Sequence, residues 1–344
     1  MAKPILVLKF GTASITTGSG ELDEAVIAEI ARQVALIHQQ YNLVIVSSGA
    51  VAAGKKFLKN YKGTLNEKKA AAAIGNPLLL NTYSRYFLPH GISIAQSLCE
   101  RHHFSNRDQF LQLKRTYEEL WANCIIPIAN ENDVVSNLEL KFSDNDELAT
   151  LIAVGFGASQ VLFSTSVPGV LDSSGQVIPE LDTTDKKVLL LANKEKSAAG
   201  LGGMTSKLTF ARLANLMGIG VVIFGIRTEN GILNALKGKT GTLCLPQKST
   251  LPARKKWLAS GSLVSGRIQI DAGACKALQN RHSLLAVGIK KILTDFENGE
   301  IIEILDEDNN AVAVAKARIA SAMLAQDINV KNLEVAHADN IVLL

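Results

Sequence analysis

The sequence predicts an α/β protein with a doubly wound, mainly parallel sheet, followed by a smaller β-rich domain. First, short continuous apolar segments typical of buried strands alternate with longer segments whose apolar residues recur at helical spacing. Second, hydrophobic residues make up 47% of the chain but aromatic residues only 5%. Such an aliphatic core is typical of parallel sheets that are covered by helices. Third, a length of 344 residues is enough for two domains.

The first two thirds of the chain contain six predicted strands and the helices that connect them. The predicted strands are Ile5–Leu8, Leu43–Val46, Ile92–Ala95, Ile125–Ala129, Gln160–Phe163 and Val221–Phe224. The predicted helices cover residues 24–39, 68–88, 108–122, the segment around 148–152, and 204–217. Ligands of such sheets bind beyond the carboxyl ends of the strands. The polar residues that follow the strands are therefore the candidates for a functional site.

A change in composition near residue 246 predicts a domain boundary. The segment Pro246–Pro252 is typical of a linker, and short strand-like segments separated by turn residues follow it. These segments are Arg267–Ile270, Leu284–Val287, Ile301–Leu305 and Ala311–Ala315. We therefore expect one domain over residues 1–250 and a β-rich domain over residues 265–344.

Charge and cysteine content narrow the possible functions. A net charge of +4 is compatible with an anionic substrate and too small to indicate binding of nucleic acid. The four cysteines are widely separated, so reduced, buried thiols are expected rather than disulfides or a zinc site. His102 and His103 have no third ligand at a useful spacing, so no metal site is expected there. No apolar segment approaches the roughly 20 residues of a membrane span, which favours a cytoplasmic location.

Several polar residues at strand ends are candidates for binding or catalysis. Lys9 ends the first strand beside Gly11, where it is either a solvated charge or a functional group. Ser47–Ala50 either caps a helix or binds an anion through backbone N–H groups. Asp133 lies in a loop rich in Asn and Asp, which is typical of a turn. A helix N-cap requires only one of the three polar residues Asp144–Asp146. Capping therefore does not explain the other two.

The segment AAGLGGMTSKL at residues 198–208 raises the question of whether it binds phosphate. It does not match the P-loop pattern, and neither does the Gly-Lys-Thr at 238–240, which lacks the upstream glycine. Lys207 lies near the start of a predicted helix, where its charge opposes the helix dipole. This position favours an anion close to Lys207.

The order of these motifs resembles that of one family. The segments are VLKFGTASI near the N-terminus, VSSGAVAAG at 46–54, NENDVV at 130–135, FSDNDELA at 142–149 and GLGGMTSK at 200–207. Together they resemble the glutamate 5-kinases of the amino-acid kinase superfamily, which start proline biosynthesis. In addition, SLLAVGIKKI and FENGEIIEIL resemble the PUA domain found at the end of many bacterial members. The resemblance covers nearly the whole chain.

This resemblance implies a reaction and a set of site residues. The γ-carboxylate of L-glutamate is expected to attack the γ-phosphate of ATP, with Mg²⁺ on the phosphates, giving γ-glutamyl phosphate and ADP. The implied catalytic residues are Lys9, Asp146 and Lys207, with Asp146 organising the two lysines. The implied glutamate-binding residues are Ser48, Asp133 and Asn145. The implied ATP-binding residues are Lys9, Gly11, Thr165, Ser166, Leu201, Gly202, Gly203, Met204, Thr205, Ser206 and Lys207.

Within the glutamate site, the resemblance implies that Asp133 pairs with the ammonium group, while Ser48 and Asn145 donate to the carboxylates. Two positions depart from the family pattern: Ser166 replaces the usual aspartate and Leu201 the usual threonine. Both belong to the expected nucleotide site, so ATP affinity and the choice of nucleotide stay open.

Three alternative functions remain at this stage. The first is a kinase of aspartate, acetylglutamate or another small acid. The second is an RNA-binding protein, and the third is a degenerate kinase that is kept for regulation. The NENDVV loop and the C-terminal domain favour the glutamate 5-kinases. A homo-oligomer and feedback inhibition by proline are further expectations from the family.

Overall fold

The computed structural model describes residues 3–105, 107–135, 144–183, 188, 203–247, 264–327, 330 and 332–343. Two compact units make up the fold. The large unit comprises Met1–Glu100 and Gln112–Ser249, and the small unit comprises Arg101–Leu111 and Thr250–Leu344. Most of the predicted linker, from residue 248 onward, lies outside the described residues.

The described part of the large unit contains an eight-stranded sheet. Its strands are β1 (Ile5–Phe10), β2 (Asn42–Ser47), β3 (Ile94–Cys99), β4 (Ile126–Glu131), β5 (Gln160–Thr165), β6 (Glu180–Leu181), β7 (Gly220–Gly225) and β8 (Thr242–Cys244). They are ordered β3-β4-β2-β1-β5-β7-β8-β6. Strands β1 to β5 and β7 pair in parallel, whereas β8 is antiparallel to β7. The prediction of a doubly wound, mainly parallel sheet is therefore confirmed.

The six predicted strands correspond to β1, β2, β3, β4, β5 and β7. The sequence did not predict β6 and β8, which have only two and three residues. Segments that short contain too few residues to display a period. Both lie at one end of the strand order, next to β7.

Helices connect the strands and cover the sheet. The helices before residue 240 are α1 (Thr12–Ile15), α2 (Glu24–Ala35), α3 (Ala50–Gly54), α4 (Leu65–Phe87), α5 (His102–Ser105), α6 (Arg107–Ala122), α7 (Asn145–Phe156), α8 (Met204–Leu216) and α9 (Gly231–Leu236). The apolar stripe predicted for α2 is buried, with Ile27, Ile30 and Val34 fully inaccessible. Helix α4 begins with a capping box, in which Thr64 and Glu67 each bind the other's backbone N–H.

Two glycines let α3 and α4 cross in direct backbone contact. A Cβ atom on Gly54 would lie 1.9 Å from the carbonyl oxygen of Ala71, and one on Gly75 would lie 1.7 Å from that of Ala50. Any side chain at either position would therefore collide with main-chain atoms that cannot move independently. This crossing fixes the chain that follows β2 against α4.

The small unit contains a separate, mostly antiparallel sheet. Its five strands are β9 (Val264–Ile270), β11 (Ile289–Thr294), β12 (Ile301–Leu305), β13 (Ala311–Lys316) and β15 (Ile341–Leu343), while β10 (Leu284–Leu285) pairs with β14 (Glu334–Ala336). Only β12 and β9 pair in parallel among these strands. The unit also contains helices α10 (Ala272–Gln279) and α11 (Ser321–Asp327), together with α5 and the start of α6. The β-rich prediction is confirmed, although β11, β14 and β15 were missed and the predicted strand at 284–287 is only two residues long.

The cysteines depart partly from expectation. All four are unpaired, and Cys99 and Cys244 are buried as predicted, but Cys275 is half-buried and Cys124 is exposed. Cys124 follows α6 with a φ of 58°, in a turn that faces solvent. Among the helices of the described residues, none combines the length and apolar character that a membrane crossing requires.

Candidate active site

A cleft of about 530 Å³ opens at the carboxyl ends of the parallel strands. Strand β1 lies centrally, with β2 and β4 on one side and β5 and β7 on the other. The strand order therefore reverses at β1, because the strands after it are added first on one side and later on the other. Ligands of open α/β sheets bind at such a switch point. The residues that line the cleft include Lys9, Gly11, Ser14, Ser48, Lys55, Lys68, Asn130, Glu131, Asp133, Asp144, Asn145, Thr165, Ser166, Gly203, Met204 and Lys207.

Two lysines meet on one carboxylate at the floor of this cleft. The Nζ atom of Lys9 lies 2.6 Å from Oδ1 of Asp146, and Nζ of Lys207 lies 3.1 Å from Oδ2. Asp146 is fully buried, and Lys9 and Lys207 are 3% and 5% exposed. The triad carries a formal surplus of one positive charge, which an anion in the cleft would neutralise.

Burial and mutual attraction act in opposite directions on these groups. Burial by itself would raise the pKa of Asp146, but the ammonium groups of Lys9 and Lys207 outweigh it and lower that pKa. Burial lowers the pKa of Lys9, and Asp146 partly restores it. The carboxylate is therefore held ionised, and it fixes both ammonium groups in place.

Asp144, the first residue of the Asp-Asn-Asp motif, connects two helix starts. Its Oδ1 accepts hydrogen bonds from the backbone N–H groups of Asp146 at 2.8 Å and Glu147 at 3.2 Å, so it is the N-cap of α7. Its Oδ2 accepts a short hydrogen bond from Ser206 in the first turn of α8. Asp144 thus ties together the two helix starts that carry Asp146 and Lys207. Burial and the charge of Asp146 raise the pKa of this carboxyl.

A chain of amide side chains lies on the β2–β4 side of the cleft. Asn145 donates from Nδ2 to Oγ of Ser48 at 2.8 Å and to Oδ1 of Asn130 at 2.9 Å. Asn130 in turn donates to Oδ1 of Asn76 on α4 at 3.0 Å. Four polar groups, from the residue after β2 and from β4, α4 and α7, are thereby held in one arrangement.

The backbone determines which way these amides face. The N–H of Glu131 donates to Oδ1 of Asn130 at 3.0 Å, so this atom is an acceptor. The Asn145 group that faces it must therefore be the amide nitrogen. Oδ1 of Asn145 is buried and accepts no hydrogen bond from the protein atoms that the structure describes. Both Asn145 donors are used within this network, so donation from Asn145 to a substrate carboxylate stays a prediction that would require one of these contacts to be exchanged.

The structure brings most of the predicted site residues into the cleft. Those that line it are Lys9, Gly11, Ser48, Asp133, Asn145, Thr165, Ser166, Gly203, Met204 and Lys207. Asp146 lies beneath them, the side chain of Ser206 is bound to Asp144, and Thr205 is exposed outside the lining. Leu201 and Gly202 lie outside the described residues.

The helix cap expected within Ser47–Ala50 is present, but it uses no side chain. The N-cap of α3 is Gly49, with a φ of 102° and no side-chain hydrogen bond, whereas Ser48 binds Asn145. Gly203 is likewise the N-cap of α8, so no side chain caps the first backbone N–H groups of that helix, and both Gly203 and Met204 line the cleft. The anion that the sequence predicts near Lys207 is, in this structure, Asp146.

The polar residues of the site region that sequence reasoning missed include Lys55, Lys68, Asn76 and Asn130. Asn130 belongs to the NENDVV motif, so that motif was a usable signal. The other three lie on α4 or just after α3, in segments whose polar residues look like ordinary surface positions. Only the close crossing of these helices brings them to the cleft.

Comparison with known proteins identifies the family of this chain. The family model for the amino acid kinase family matches residues 4–225, and the model for the PUA domain matches residues 266–335. The chain belongs to the amino acid kinase family. Its C-terminal unit contains the PUA domain.

Curated relatives and solved structures extend the comparison. Glutamate 5-kinases of Vibrio vulnificus and Kosmotoga olearia are each 36% identical to this chain, over 93% and 96% of its length and 88% and 93% of their own. Carbamate kinase from Giardia lamblia bound to AMP-PNP is 16% identical with a TM-score of 0.52, over 72% of this chain and 99% of that one. A likeness at that identity extends to the fold of the kinase domain alone.

Proposed function

We propose that this chain transfers the γ-phosphoryl group of ATP to the γ-carboxylate of L-glutamate, the reaction that starts proline biosynthesis. The observation that carries the proposal is the pair of buried ammonium groups held by Asp146 at the floor of the cleft. The identity of 33–37% to curated glutamate 5-kinases over most of the chain supports glutamate as the acceptor.

The chemistry of the acceptor explains why the site is built from cations rather than from a general base. A carboxylate is already ionised at neutral pH, so no proton has to be removed before it attacks. The difficulty is electrostatic, because two anions must meet in line and charge develops on the transferring group. Lys9 and Lys207 supply fixed positive charge at that point, and the N–H groups at the start of α8, which no side chain caps, add donors.

The polar network orients the acceptor on the β2–β4 side. Ser48 accepts from Asn145 and keeps its own hydroxyl hydrogen, which donates to a substrate carboxylate. Oδ1 of Asn145 is an acceptor, so together with Asp133 it binds the ammonium group. Thr165, Ser166 and Gly203 line the opposite side, where the nucleotide binds.

Mg²⁺ enters this site on the phosphates of the nucleotide. In the described residues, no three His, Cys, Asp or Glu side chains are grouped as metal ligands. A metal held mainly by phosphate oxygens and water fits that donor set, since Mg²⁺ keeps several waters in kinases. When bound, the ion neutralises phosphate charge, while Lys9 and Lys207 do so from the protein.

A coupled assay tests the proposal directly. Mg-ATP and L-glutamate should give ADP and an acyl phosphate, which hydroxylamine traps as a hydroxamate. L-Aspartate, N-acetylglutamate and RNA, each in a separate reaction, are the comparison substrates. Equal or faster turnover with aspartate or N-acetylglutamate would reject the assignment of the acceptor. Absence of ADP formation with every acid would favour a degenerate kinase.

The charge of residues 264–344, a range that excludes the basic segment Arg254–Lys256, argues against RNA binding by this part of the chain. Residues 264–344 contain eight Lys and Arg but eleven Asp and Glu. Several of the basic side chains are paired with carboxylates, as Arg267 is with Glu303 and Lys290 with Glu307. A surface that binds the phosphate backbone carries the opposite balance.

We further propose that residues 1–250 contain the complete active site, because every cleft-lining residue lies there. A chain that ends at Lys248 should keep kinase activity, with circular dichroism as the check on folding. A folded but inactive product would reject this division. A cytoplasmic location, a homo-oligomer and inhibition by proline are further proposals, and the last two are tested by light scattering and by proline titration.

A further inference from the structure

Two of the lysines that line the cleft have no assigned role. Lys9 and Lys207 are fixed by Asp146, whereas Lys55 and Lys68 form no ion pair with any described residue. Lys55 is half-buried and Lys68 is exposed. The neighbouring Lys56 does form an ion pair. It lies outside the cleft lining, and its Nζ is 3.1 Å from Oε1 of Glu21.

The glycine crossing of α3 and α4 brings these two lysines to the same place. Gly54, which precedes Lys55, touches the backbone of α4 at Ala71. Lys68 lies three residues before Ala71 and therefore on the same face of α4. Side chains on a helix lean towards its N-terminus, so Lys68 projects from the start of α4 next to the end of α3.

The position along the cleft assigns the lysines to the acceptor rather than to the nucleotide. Lys55 follows directly on the segment that contains Ser48 and Gly49, on the β2 side of β1. Thr165 and Ser166, on the expected nucleotide side, follow β5 on the opposite side of β1. Lys55 therefore belongs to the β2 side of the cleft, opposite Thr165 and Ser166, and the crossing of α3 and α4 brings Lys68 to the same side.

A count of charges shows what such cations would bind. An amino-dicarboxylic acid brings one ammonium group and two carboxylates. One carboxylate must face the phosphoryl group, and the cleft offers Asp133 and Oδ1 of Asn145 to the ammonium. The second carboxylate needs a partner, and a buried anion without one is unfavourable. Lys55 and Lys68 are the lining cations that remain among the described residues.

We propose that Lys55 and Lys68 bind the α-carboxylate of the acceptor and so select an amino-dicarboxylic acid. This inference rests on the proposed function. It makes the two lysines specificity-determining residues, which act on binding of the acceptor rather than on transfer of the phosphoryl group.

The experiment pairs lysine variants with a substrate that lacks the α-carboxylate charge. Lys55→Met and Lys68→Met keep the aliphatic stem and remove the charge, and Lys56→Met and Lys69→Met are the matched controls outside the cleft. L-Glutamate is compared with L-isoglutamine, its neutral α-amide. Each is measured as a substrate, or as a competitive inhibitor where turnover is undetectable.

We expect Lys55→Met and Lys68→Met each to raise the KM for glutamate about 10- to 100-fold, the range for loss of a charge-assisted hydrogen bond. The KM for ATP should stay unchanged, and so should the affinity for isoglutamine. The control variants should match the wild type for both compounds. The preference for glutamate over isoglutamine is thus lost only when the cleft lysines are changed.

Other outcomes overturn the inference. An equal loss for glutamate and isoglutamine would mean that the lysines do not contact the α-carboxylate, and a rise in the KM for ATP would place them at the phosphates. Wild-type kinetics in both variants would remove any role in binding. These results leave the proposed function intact if the wild type phosphorylates glutamate. A wild type without that activity would reject the proposed function, and this inference with it.

Discussion

Similar ion pairs occur in two regions of this molecule under opposite conditions. At the cleft floor, Lys9 and Lys207 lie 2.6 and 3.1 Å from the oxygens of Asp146, and all three side chains are almost inaccessible. On the sheet of the small unit, Lys290 lies 2.8 Å from Glu307, but these side chains are 53% and 50% exposed. Distance alone therefore does not distinguish the two regions.

The difference lies in what surrounds the charges. Removing an ion from water costs several kcal/mol, so a buried group is held only where opposite charges meet it in good geometry. Asp146 meets this condition by using both oxygens. An exposed pair is screened by water and salt and contributes little. Burial therefore turns the cleft pair into an oriented, fixed charge, while the surface pair mainly balances the local charge.

The largest effect is expected when the buried carboxylate is removed. Asp146→Asn leaves two buried ammonium groups without a counter-charge and should lower the free energy of unfolding by about 3–5 kcal/mol. Urea denaturation monitored by circular dichroism measures this loss. Glu307→Gln makes the same chemical change on the surface and should leave the urea midpoint unchanged. Similar losses in both variants would contradict the distinction between the regions.

The pH dependence of the same variant sharpens the test. Lys9 and Lys207 lower the pKa of Asp146 below its ordinary value of 3.8, against the effect of burial. A group with a lowered pKa stabilises the fold above its unfolded value and loses that contribution as the pH falls through the folded value. The stability difference between wild type and Asp146→Asn should therefore shrink below about pH 4. A constant difference down to pH 2 would contradict an ionised Asp146.

The next effect concerns catalysis. Lys207→Met should lower kcat about 100-fold or more, because a preorganised charge at the transferring group is lost. Asp133→Ala should instead mainly raise the KM for glutamate, since it removes a binding contact. Lys239→Met, an exposed position outside the cleft, is the control. The reverse pattern in steady-state kinetics would mean that the roles of Lys207 and Asp133 are exchanged.

A smaller effect is expected on the nucleotide side. Ser166 is exposed, lines the cleft and offers a neutral partner. A hydrogen bond to a charged group contributes about 1.5–3 kcal/mol, against about 1 kcal/mol for a neutral one. Ser166→Asp should therefore lower the KM for ATP several-fold and leave the KM for glutamate unchanged. Weaker ATP binding would indicate that the loop through Val167 and Pro168 gives the nucleotide pocket a shape that differs from the family's and that suits serine.

The smallest effect is expected on the surface of the small unit. Lys290→Ala removes the exposed pair with Glu307 and should change neither the thermal midpoint nor kcat, because solvent screens that pair. Differential scanning calorimetry and the kinase assay check both. A clear loss of stability would show that exposure does not separate the two regions as argued here.

Local patterns in the sequence predicted the regular elements of the fold. The apolar segments gave the six long strands, because a strand buried on both faces needs a continuous apolar run. The stripe of Ile27, Ile30 and Val34 gave the buried face of α2. Short strands such as β8 were missed, since their pairing depends on a neighbouring strand rather than on a period of their own.

Family motifs gave most of the candidate site but not its geometry. Lys9, Ser48, Asp133 and Lys207 were named because their motifs occur in the expected order, and all four line the cleft. The motifs did not predict the orientation of the Asn145 amide. It depends on Asn130, whose own orientation is determined by a backbone N–H, and no feature of the local sequence reports that contact.

The sequence by itself determined the six long strands of the large unit, the longer helices that connect them and the family. These depend on neighbours within a few residues, or on motifs that stand in a fixed order. Only the tertiary structure decided that Lys9 and Lys207 share Asp146 and that Lys55 and Lys68 reach the cleft. Such contacts join segments far apart in the chain, and they form only once the strand order and the glycine crossing at Gly54 have brought the backbones together.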